Sequence, residues 1–245
     1  MDVLGGFLLY LGLIALFAGL LSLIKPLRFA GIRSRKRALA VVAAGAALFV
    51  AGIALPIDHT YVTGPVRRID GLMPHYQFRE VHSIRIAATP ERVYAALRAT
   101  PPREIRFYRT LTWIRRFGRS SPPGVLNASE QRPILDTFTS GGFTPLTDDP
   151  PRELILTRVG TGRGPVELPA SKFAAYQADR MVKILLNFEV RKVDEGTCLL
   201  TTETRVLAVG SNVERGFATY WRMIYPGSAL IRRTWLQAIR ARAER

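Results

Sequence analysis

The chain has 245 residues and a formal net charge of +16, from 35 basic and 19 acidic residues. This length allows one sizeable core plus an accessory element, and a composition that is 48% hydrophobic can fill that core. A single cysteine, Cys198, excludes an intrachain disulfide and a cysteine-based metal site. The three histidines lack the spacing of a zinc-binding motif, so we expect neither a bound metal nor a cofactor.

Two uncharged apolar runs open the chain, at residues 3–24 and at residues 38–57. A helix of about 20 apolar residues crosses the roughly 30 Å hydrocarbon layer of a bilayer. A cleaved signal peptide would begin with a basic segment, whereas this chain begins Met-Asp-Val. A buried soluble helix is the other alternative for each run. The sequence favours a transmembrane helical hairpin over residues 1–57.

The connector between the two runs sets the expected orientation, because it carries positive charges and no negative ones. The charged residues are Lys25, Arg28, Arg33, Arg35, Lys36 and Arg37. Short basic loops stay in the cytoplasm, so we expect a two-pass protein whose main domain is extracytoplasmic. The preference for arginine over lysine is typical of GC-rich bacterial genomes, which indicates a bacterial cytoplasmic membrane. The small residues expected to let the two helices approach closely are Gly12, Gly19, Ala43, Ala47 and Ala51.

Residues 58–76 contain glycine and proline without sustained periodicity, which predicts a linker or a loosely docked arm. From residue 77 the pattern becomes that of a folded domain, which we expect to run to residue 245. Residues 78–88 alternate as a strand does. Thr89 then suits a helix N-cap and Pro90 the first helical position. A second amphipathic helix is predicted over residues 103–117, followed by a loop-rich stretch over residues 118–151.

The second half of the domain is predicted to hold strands and then one long helix. Residues 153–159 form a strand, and residues 180–193 alternate most clearly, with Val182 to Val190 apolar on one side. A turn at residues 194–196 returns the chain as a strand over residues 197–207, which predicts an antiparallel hairpin. From Ser211 onward, apolar residues recur at helical spacing, and Pro226 is expected to kink or break that helix. The order of elements indicates an α+β fold whose last helix covers one face of the sheet.

Three features resemble the START-like, helix-grip superfamily, also called SRPBCC or polyketide cyclase/lipid-transport proteins. They are the strand that leads into Thr89-Pro90-Glu91-Arg92-Val93-Tyr94, the strand end Thr202-Glu203-Thr204-Arg205-Val206, and the terminal helix with Tyr220-Trp221-Arg222, Pro226-Gly227-Ser228 and Ile231-Arg232-Arg233. The resemblance covers residues 78–245. It implies a curved antiparallel sheet that grips a long C-terminal helix, with a hydrophobic ligand in the space between them. A membrane hairpin before the domain departs from the usual soluble members.

The residues expected to line that space are mostly aromatic and lie on the last helix. The candidates are Phe217, Tyr220, Trp221, Ile224 and Trp235, joined by Tyr108 from the second helix and by Glu203 and Arg205 from a strand. Core packing is the commoner role of aromatic residues on a helix stripe, although in this fold the two roles overlap. Glu203 and Arg205 share a strand face with each other. That face either looks into the cavity, to hold a ligand's head group, or looks to water as a charge cluster, and the apolar row beside it favours water.

We expect a membrane-anchored domain that binds a hydrophobic or amphipathic small molecule, including lipids, without catalysis. Membrane lipids are therefore expected partners, and the anchor argues against nucleic acid as the partner of the basic surface. The first alternative is a cyclase- or hydrolase-like enzyme, which predicts that at least two of Glu189, Glu203, Arg205 and Tyr220 meet inside the cavity. The second is an envelope protein-interaction module, which predicts an exposed apolar patch.

Overall fold

A computed structural model describes residues 3–122 and 124–245. The chain divides into two compact units. The first unit comprises Met1–Asp58 together with Glu214–Tyr225, and the second comprises His59–Val213 together with Pro226–Arg245. The C-terminal helix contributes its first part to one unit and its second part to the other.

The first unit is built on two apolar helices, α1 (Val3–Ile24) and α2 (Arg35–Ala54). Both are long and apolar enough to cross a membrane. Ser34 begins α2, since its hydroxyl accepts a hydrogen bond from the backbone N–H of Arg37 at 3.3 Å. This cap lies within the basic connector, so α2 starts and ends three residues earlier than the apolar run predicts.

The two helices pack through glycines that leave no room for a side chain. A Cβ atom at Gly12 would lie 2.6 Å from the backbone nitrogen of Phe49, and one at Gly45 would lie 2.7 Å from that of Leu16. The small residues buried at this contact recur every seven positions on each helix: Gly5, Gly12 and Gly19 on α1, and Ala38, Gly45 and Gly52 on α2. Gly12 and Gly19 lie there as predicted, whereas Ala43, Ala47 and Ala51 are exposed. Composition identifies small residues, but only the rotation of α2 decides which of them face the partner.

We expect Gly12→Ala to weaken the hairpin, because the added methyl group meets the backbone of α2. Forcing a methyl group into a close-packed contact costs about 1–3 kcal/mol. The matched control is Gly6→Ala, since a Cβ at Gly6 meets nothing within 4 Å and alanine has a higher helix propensity than glycine. Unfolding of the full chain by sodium dodecyl sulfate in mixed micelles measures the difference. Equal stability of the two variants would show that the helices do not pack in this way.

An arginine from the C-terminal helix closes the end of α2 within the first unit. Arg222 donates hydrogen bonds to the carbonyl oxygens of Ile53 and Leu55, each at 3.0 Å, and of Pro56 at 3.4 Å. The last carbonyl groups of a helix lack partners within the helix, and a cation there also complements the helix dipole. Arg222 thus joins Glu214–Tyr225 to the end of the second apolar helix.

The second unit is α+β, as predicted. In chain order its elements are β1 (Thr60–Tyr61), α3 (Arg68–Leu72), β2 (His75–Tyr76), β3 (Phe78–Ile86), α4 (Pro90–Ala99), α5 (Tyr108–Arg115), α6 (Ile134–Ser140), β4 (Thr144–Asp149), β5 (Glu153–Thr161), β6 (Gly164–Val166), α7 (Ala170–Phe173), β7 (Met181–Asp194), β8 (Thr197–Val209) and the second part of α8 (Ser211–Ala243). The main sheet has the order β3-β8-β7-β5-β4, with β6 paired to β5, and every pairing in it is antiparallel. This confirms the expected antiparallel sheet and the long C-terminal helix.

The predicted hairpin of β7 and β8 is confirmed and forms the centre of the sheet. Phe188 pairs with Thr202, and Leu185 pairs with Arg205. Gly196 adopts a φ of +87° in the connecting turn, a conformation that glycine tolerates at no steric cost. Because side chains alternate along a strand, this register divides the residues of both strands between two faces of the sheet.

One face of the sheet packs against the second part of α8 together with α4, α5 and α6. Trp235 of α8 is 1% exposed and meets Phe188 of β7 with ring centroids 4.9 Å apart. Phe138 of α6 stacks on the same indole at 5.7 Å. We call this the helix face of the sheet. The sequence correctly places the last helix over a sheet face that is apolar along β7.

The opposite face of the sheet is also covered, by residues 66–76 and by α7. Ile69, Met73, Tyr76 and Phe173 pack there against Leu185 of β7. Residues 58–76, for which the sequence predicts a linker, therefore carry β1, α3 and β2 and supply part of a second hydrophobic cluster. These elements are two to five residues long, too short to generate a periodic pattern. We call this the outer face.

Three further differences concern elements in regions that sequence periodicity describes poorly. The second helix occupies only Tyr108–Arg115, preceded by a single 3-10 turn at Pro102–Glu104. The stretch predicted as loop contains α6 and β4. The helix α8 continues through Pro226, so of the expected kink or break the structure excludes the break. A proline removes one hydrogen bond from a helix, and the well-packed turns that follow it, around Trp235 and Ile239, keep the rest of the helix in place.

Candidate functional site

A group of polar side chains lies on the helix face, among otherwise apolar packing. Glu80 and His82 come from β3, and Thr202 and Thr204 are their cross-strand partners on β8. Glu80 is 3% exposed, and it accepts a hydrogen bond from the hydroxyl of Ser228 on α8 at 2.8 Å. Its other oxygen lies 3.0 Å from Nε2 of His82. A buried carboxylate thus links the sheet to the gripping helix.

Arg232 reaches the same group from the next turn of α8. Its Nη2 donates to the hydroxyl of Thr204 at 3.2 Å, and its guanidinium carbon lies 5.5 Å from the ring centroid of Trp235. Its Nη1 is buried and has no hydrogen-bond partner in the part of the chain that the structure describes, and the same holds for Nε1 of Trp235 and the hydroxyl of Thr202. Buried donors without acceptors are rare in folded proteins and cost about 1–3 kcal/mol each. These atoms are the candidate contacts for the polar group of a ligand.

The charges around this place are dominated by guanidinium groups. Burial lowers the pKa of Arg232, and burial followed by the charge of Arg232 lowers the pKa of Arg115 on α5. The carboxylate of Glu80 opposes both shifts by favouring the charged guanidinium groups. Burial also raises the pKa of Tyr108 to about 12, so its hydroxyl stays neutral. Two cations and one carboxylate leave a net positive charge, which favours a ligand group that carries negative charge.

An open cleft of ≈ 510 Å³ lies beside these residues, between α5 and the loop at residues 126–128. It is lined by Tyr108, Arg109, Thr110, Thr112, Trp113, Arg116, Leu126, Asn127 and Ala128. Tyr108 is buried at its inner end, where its hydroxyl donates to the carbonyl oxygen of Val125. The same phenol feels the charges of Arg115 and Arg232. Tyr108 therefore connects the cleft with the polar group on the helix face.

The residues predicted to line the cavity are divided between the two units. Tyr108 and Trp235 belong to the second unit and lie in the helix-face core beside the unpartnered donors. The four predicted residues Phe217, Tyr220, Trp221 and Ile224 lie on the part of α8 that belongs to the first unit. There Phe217 stacks on Trp221 with ring centroids 6.0 Å apart. A single helical stripe in the sequence is thus divided between the two units.

Glu203 and Arg205 lie on the outer face, so neither arrangement considered from the sequence describes them. Arg205 is 1% exposed and donates to Asp70 Oδ1 at 2.6 Å and to Glu203 Oε1 at 2.7 Å. Its remaining Nη1 donates to the carbonyl oxygens of Ile69 and Met73 at 3.3 and 3.1 Å. Glu203 and Arg205 face neither the helix nor water, because residues 66–76 cover them. This ion pair holds the covering segment to the sheet.

Glu203 is the centre of a wider network on the outer face. It also accepts hydrogen bonds from Arg67 at 2.8 Å and from Arg79 at 2.9 Å. Burial alone would raise the pKa of Glu203, but hydrogen bonds from Arg79, Arg67 and Arg205 hold it at about 2. Asp70 follows the same logic: burial opposes ionisation, while the Arg67 backbone N–H and the Arg205 guanidinium lower its pKa.

This network predicts that the parent and a Glu203 variant differ in folding stability by an amount that depends on pH. A carboxyl group whose pKa is lower in the folded state contributes stability above its unfolded pKa, and that contribution disappears as pH falls through the folded value. We therefore expect Glu203→Gln to be less stable than the parent at neutral pH, and the gap to close between pH values of about 4.5 and 2. Urea unfolding in detergent micelles across this range measures the gap. The exposed Glu195→Gln in the β7–β8 turn is the control, and a gap that is constant with pH would contradict the assignment.

The enzyme alternative named residues that do not meet on the helix face. Glu203 and Arg205 meet, but on the outer face. Glu189 of β7 lies on that same outer face, and Tyr220 belongs to the first unit. The residues that do converge on the helix face are Glu80, His82, Ser228 and Arg232, none of which the sequence singled out as a candidate. Glu80 and His82 are two residues apart on a recognisable strand and therefore share a face, but nothing in the sequence of that strand shows that Glu80 is buried.

No protein-family model matches the chain, and no curated protein does. Among solved structures, a hypothetical protein, jhp0584, from Helicobacter pylori is 14% identical, with 76% of this chain and 99% of that chain covered and a TM-score of 0.36. The di-domain ARO/CYC protein BexL is 13% identical, with 90% of this chain and 61% of that chain covered and a TM-score of 0.29. The Zhui aromatase/cyclase from a Streptomyces species is 14% identical, with coverages of 69% and 94% and a TM-score of 0.27.

Proposed function

We propose that the second unit binds an amphipathic small molecule with an apolar body and an oxygen-bearing head, and that α1 and α2 hold the protein in a membrane. The observation that carries the proposal is the pair of buried donors without acceptors, Nη1 of Arg232 and Nε1 of Trp235. An acceptor oxygen of the ligand removes the penalty at each of these donors that it reaches. A carboxylate or phenolate oxygen also offsets the excess of guanidinium charge.

The apolar body of the ligand is assigned to the cleft beside α5. Trp113, Leu126 and Ala128 supply apolar lining, and Tyr108 marks its inner end. Binding clefts of this kind are mostly apolar with a few convergent polar groups that fix orientation. The START-like sequence resemblance supports the same class of ligand, a lipid or another hydrophobic molecule. Membrane lipids remain proposed partners through the two apolar helices.

The test uses the full chain in lipid nanodiscs and a defined probe, 3-hydroxy-2-naphthoate, which carries an aromatic body and two adjacent oxygen groups. Isothermal titration against empty nanodiscs gives the specific binding, and mass spectrometry of solvent extracts identifies any molecule that co-purifies. Saturable binding that competes with the co-purified molecule supports the proposal. A chain that binds neither the probe nor any extracted amphiphile overturns it.

The membrane part of the proposal has its own test. The basic connector supports a cytoplasmic loop, with the second unit outside the cytoplasm. Single cysteines introduced at Glu195 and at Arg33 report the two sides, because Cys198 is buried and does not react. A maleimide that cannot cross membranes should label the Glu195→Cys variant in intact cells and the Arg33→Cys variant only after permeabilisation. The reverse pattern overturns the orientation, and labelling of both positions in intact cells overturns the two-pass arrangement.

A second candidate function rests on Glu80 and His82. A carboxylate 3.0 Å from an imidazole nitrogen, with both side chains mostly buried, has the geometry of an acid–base pair. We therefore keep a cyclase-like reaction, in which a proton leaves the carbon beside a carbonyl group, as the alternative. Turnover of a model diketone by the parent chain, and at least tenfold slower turnover by Glu80→Gln with unchanged binding of the probe, would favour it. Equal turnover by the two chains removes it.

A further inference from the structure

The helix α5 and its flanks expose a cluster of large apolar side chains. Phe107, Trp113, Ile114 and Phe117 have exposed fractions of 51%, 56%, 54% and 80%. Single exposed apolar residues are ordinary, but several within one short segment mark an interaction site. We call residues 106–119 the α5 surface.

The backbone at both ends of α5 holds an unusual conformation. Phe107 has a φ of 63° and Phe117 a φ of 52°, and they are the only residues other than glycine with a positive φ in the part of the chain that the structure describes. Bulky side chains rarely adopt this left-handed region, and such strain persists where function requires it. Neither ring recovers the cost by burial, since both are exposed. Both ends of α5 therefore carry an exposed aromatic ring on left-handed backbone.

The charges of the α5 surface are of one sign. Arg106, Arg109 and Arg119 are exposed there, Arg116 is partly exposed, and residues 106–119 contain no acidic residue. Arg109 is paired with Glu130 of the neighbouring loop, and the guanidinium of Arg106 lies 5.4 Å from the ring centroid of Phe107. The surface thus combines aromatic and aliphatic side chains with a positive field.

We propose that the α5 surface docks on an anionic lipid bilayer, with Phe107, Trp113 and Phe117 at the level of the head groups. Tryptophan is enriched at the interface between lipid and water, phenylalanine joins it on the inserted face of interfacial helices, and arginines near an anionic surface each contribute about 1 kcal/mol of attraction. A bilayer is the occupant that complements both features, and it is already the partner assigned to α1 and α2. This inference rests on the membrane part of the proposed function.

The location of the α5 surface also gives the docking a use. Arg109, Trp113 and Arg116 belong both to this surface and to the lining of the cleft. A bilayer bound to α5 therefore meets the mouth of the cleft directly. An apolar ligand then passes between lipid and cleft without crossing water, which deepens the proposed function by naming the membrane as the source of the ligand.

The docking is tested on the full chain in nanodiscs. A nitrobenzoxadiazole label on Ser120→Cys reports from the exposed end of the α5 surface while leaving its aromatic rings intact, and buried Cys198 stays unlabelled. In nanodiscs with about one third phosphatidylglycerol we expect blue-shifted emission and at least twofold quenching by lipids that carry a doxyl group near the head group. The same label on Glu195→Cys, in the exposed β7–β8 turn, is the control and should be quenched less than 1.2-fold, on the order of background.

Two variants separate the contributions of the surface. Phe117→Ser should lose most of the quenching by removing an inserted ring, and Arg116→Gln with Arg119→Gln should lose it in phosphatidylglycerol while changing little in pure phosphatidylcholine. A label that is shielded but not quenched by doxyl lipid indicates a protein or a second copy of the chain on this surface, and this result overturns the proposal. A label that stays exposed to water also overturns it. Binding of 3-hydroxy-2-naphthoate in the same samples shows separately whether the ligand site is intact.

Discussion

Replacing Arg205 by methionine is expected to lower the free energy of unfolding by about 3–5 kcal/mol, the cost of breaking a buried ion pair by removing one partner. The change leaves the carboxylates of Asp70 and Glu203 without their shared cation, although Arg67 and Arg79 still contact Glu203. It also strips donors from the carbonyl groups of the covering segment at residues 66–76. Urea unfolding of the full chain in detergent micelles, followed by circular dichroism, measures the loss.

Arg85→Met is the matched control for this experiment, because Arg85 is an exposed arginine on β3 of the same sheet. Surface substitutions of this kind change stability by less than about 0.5 kcal/mol. Arg205→Lys adds a second comparison, since a lysine ammonium cannot reproduce the four separate hydrogen bonds of the planar guanidinium, and we expect it to lie between the parent and the methionine variant. A methionine variant as stable as its control would mean that residues 66–76 do not depend on this ion pair.

The elements that the sequence predicts well are those whose own residues decide them. The helix α1 is one uninterrupted apolar run, and the strands β7 and β8 are thirteen to fourteen residues long and lie on either side of a glycine turn. The helix α4 carries its start signals in three consecutive residues, Thr89-Pro90-Glu91, and begins where they predict. By contrast, α3 and α6 have five and seven residues and are fixed by the sheet and helices against which they pack.

The candidate site was harder to predict because alternation assigns side chains to two faces without naming what covers each face. On β7, Leu186 and Leu185 point in opposite directions and both are buried. From the sequence, the mixed polar row is expected to face either a cavity or water. In the structure, a short aperiodic segment covers that row instead. Conversely, Glu80 lies on a strand that is poor in apolar residues, so nothing local distinguishes a buried carboxylate there from an exposed one. Such residues are identified only when the partner helix is in place.

Arg232→Gln is expected to weaken the binding of 3-hydroxy-2-naphthoate by about 10- to 100-fold. A hydrogen bond from a charged group contributes about 1.5–3 kcal/mol, and every 1.4 kcal/mol corresponds to a tenfold change in affinity. Glutamine keeps a donor toward Thr204 but removes the positive charge and the unpartnered Nη1. Titration calorimetry on the full chain in nanodiscs measures the change, and the melting temperature verifies that the variant is folded.

The neighbouring Arg233→Gln is the matched control, because Arg233 lies one residue further along α8 and is exposed. This variant loses the same charge one residue away, so a general electrostatic effect would weaken ligand binding equally in both variants. Trp235→Phe isolates the other donor: it keeps an aromatic ring against Phe188 and removes only Nε1 and part of the indole. We expect weaker binding from this variant at nearly unchanged thermal stability, since removing a buried donor without an acceptor recovers about 1–3 kcal/mol, which offsets the packing lost with part of the indole. Parent-like affinity in both Arg232→Gln and Trp235→Phe would mean that these donors do not face the ligand, and the polar group around Glu80 would then have only a structural role.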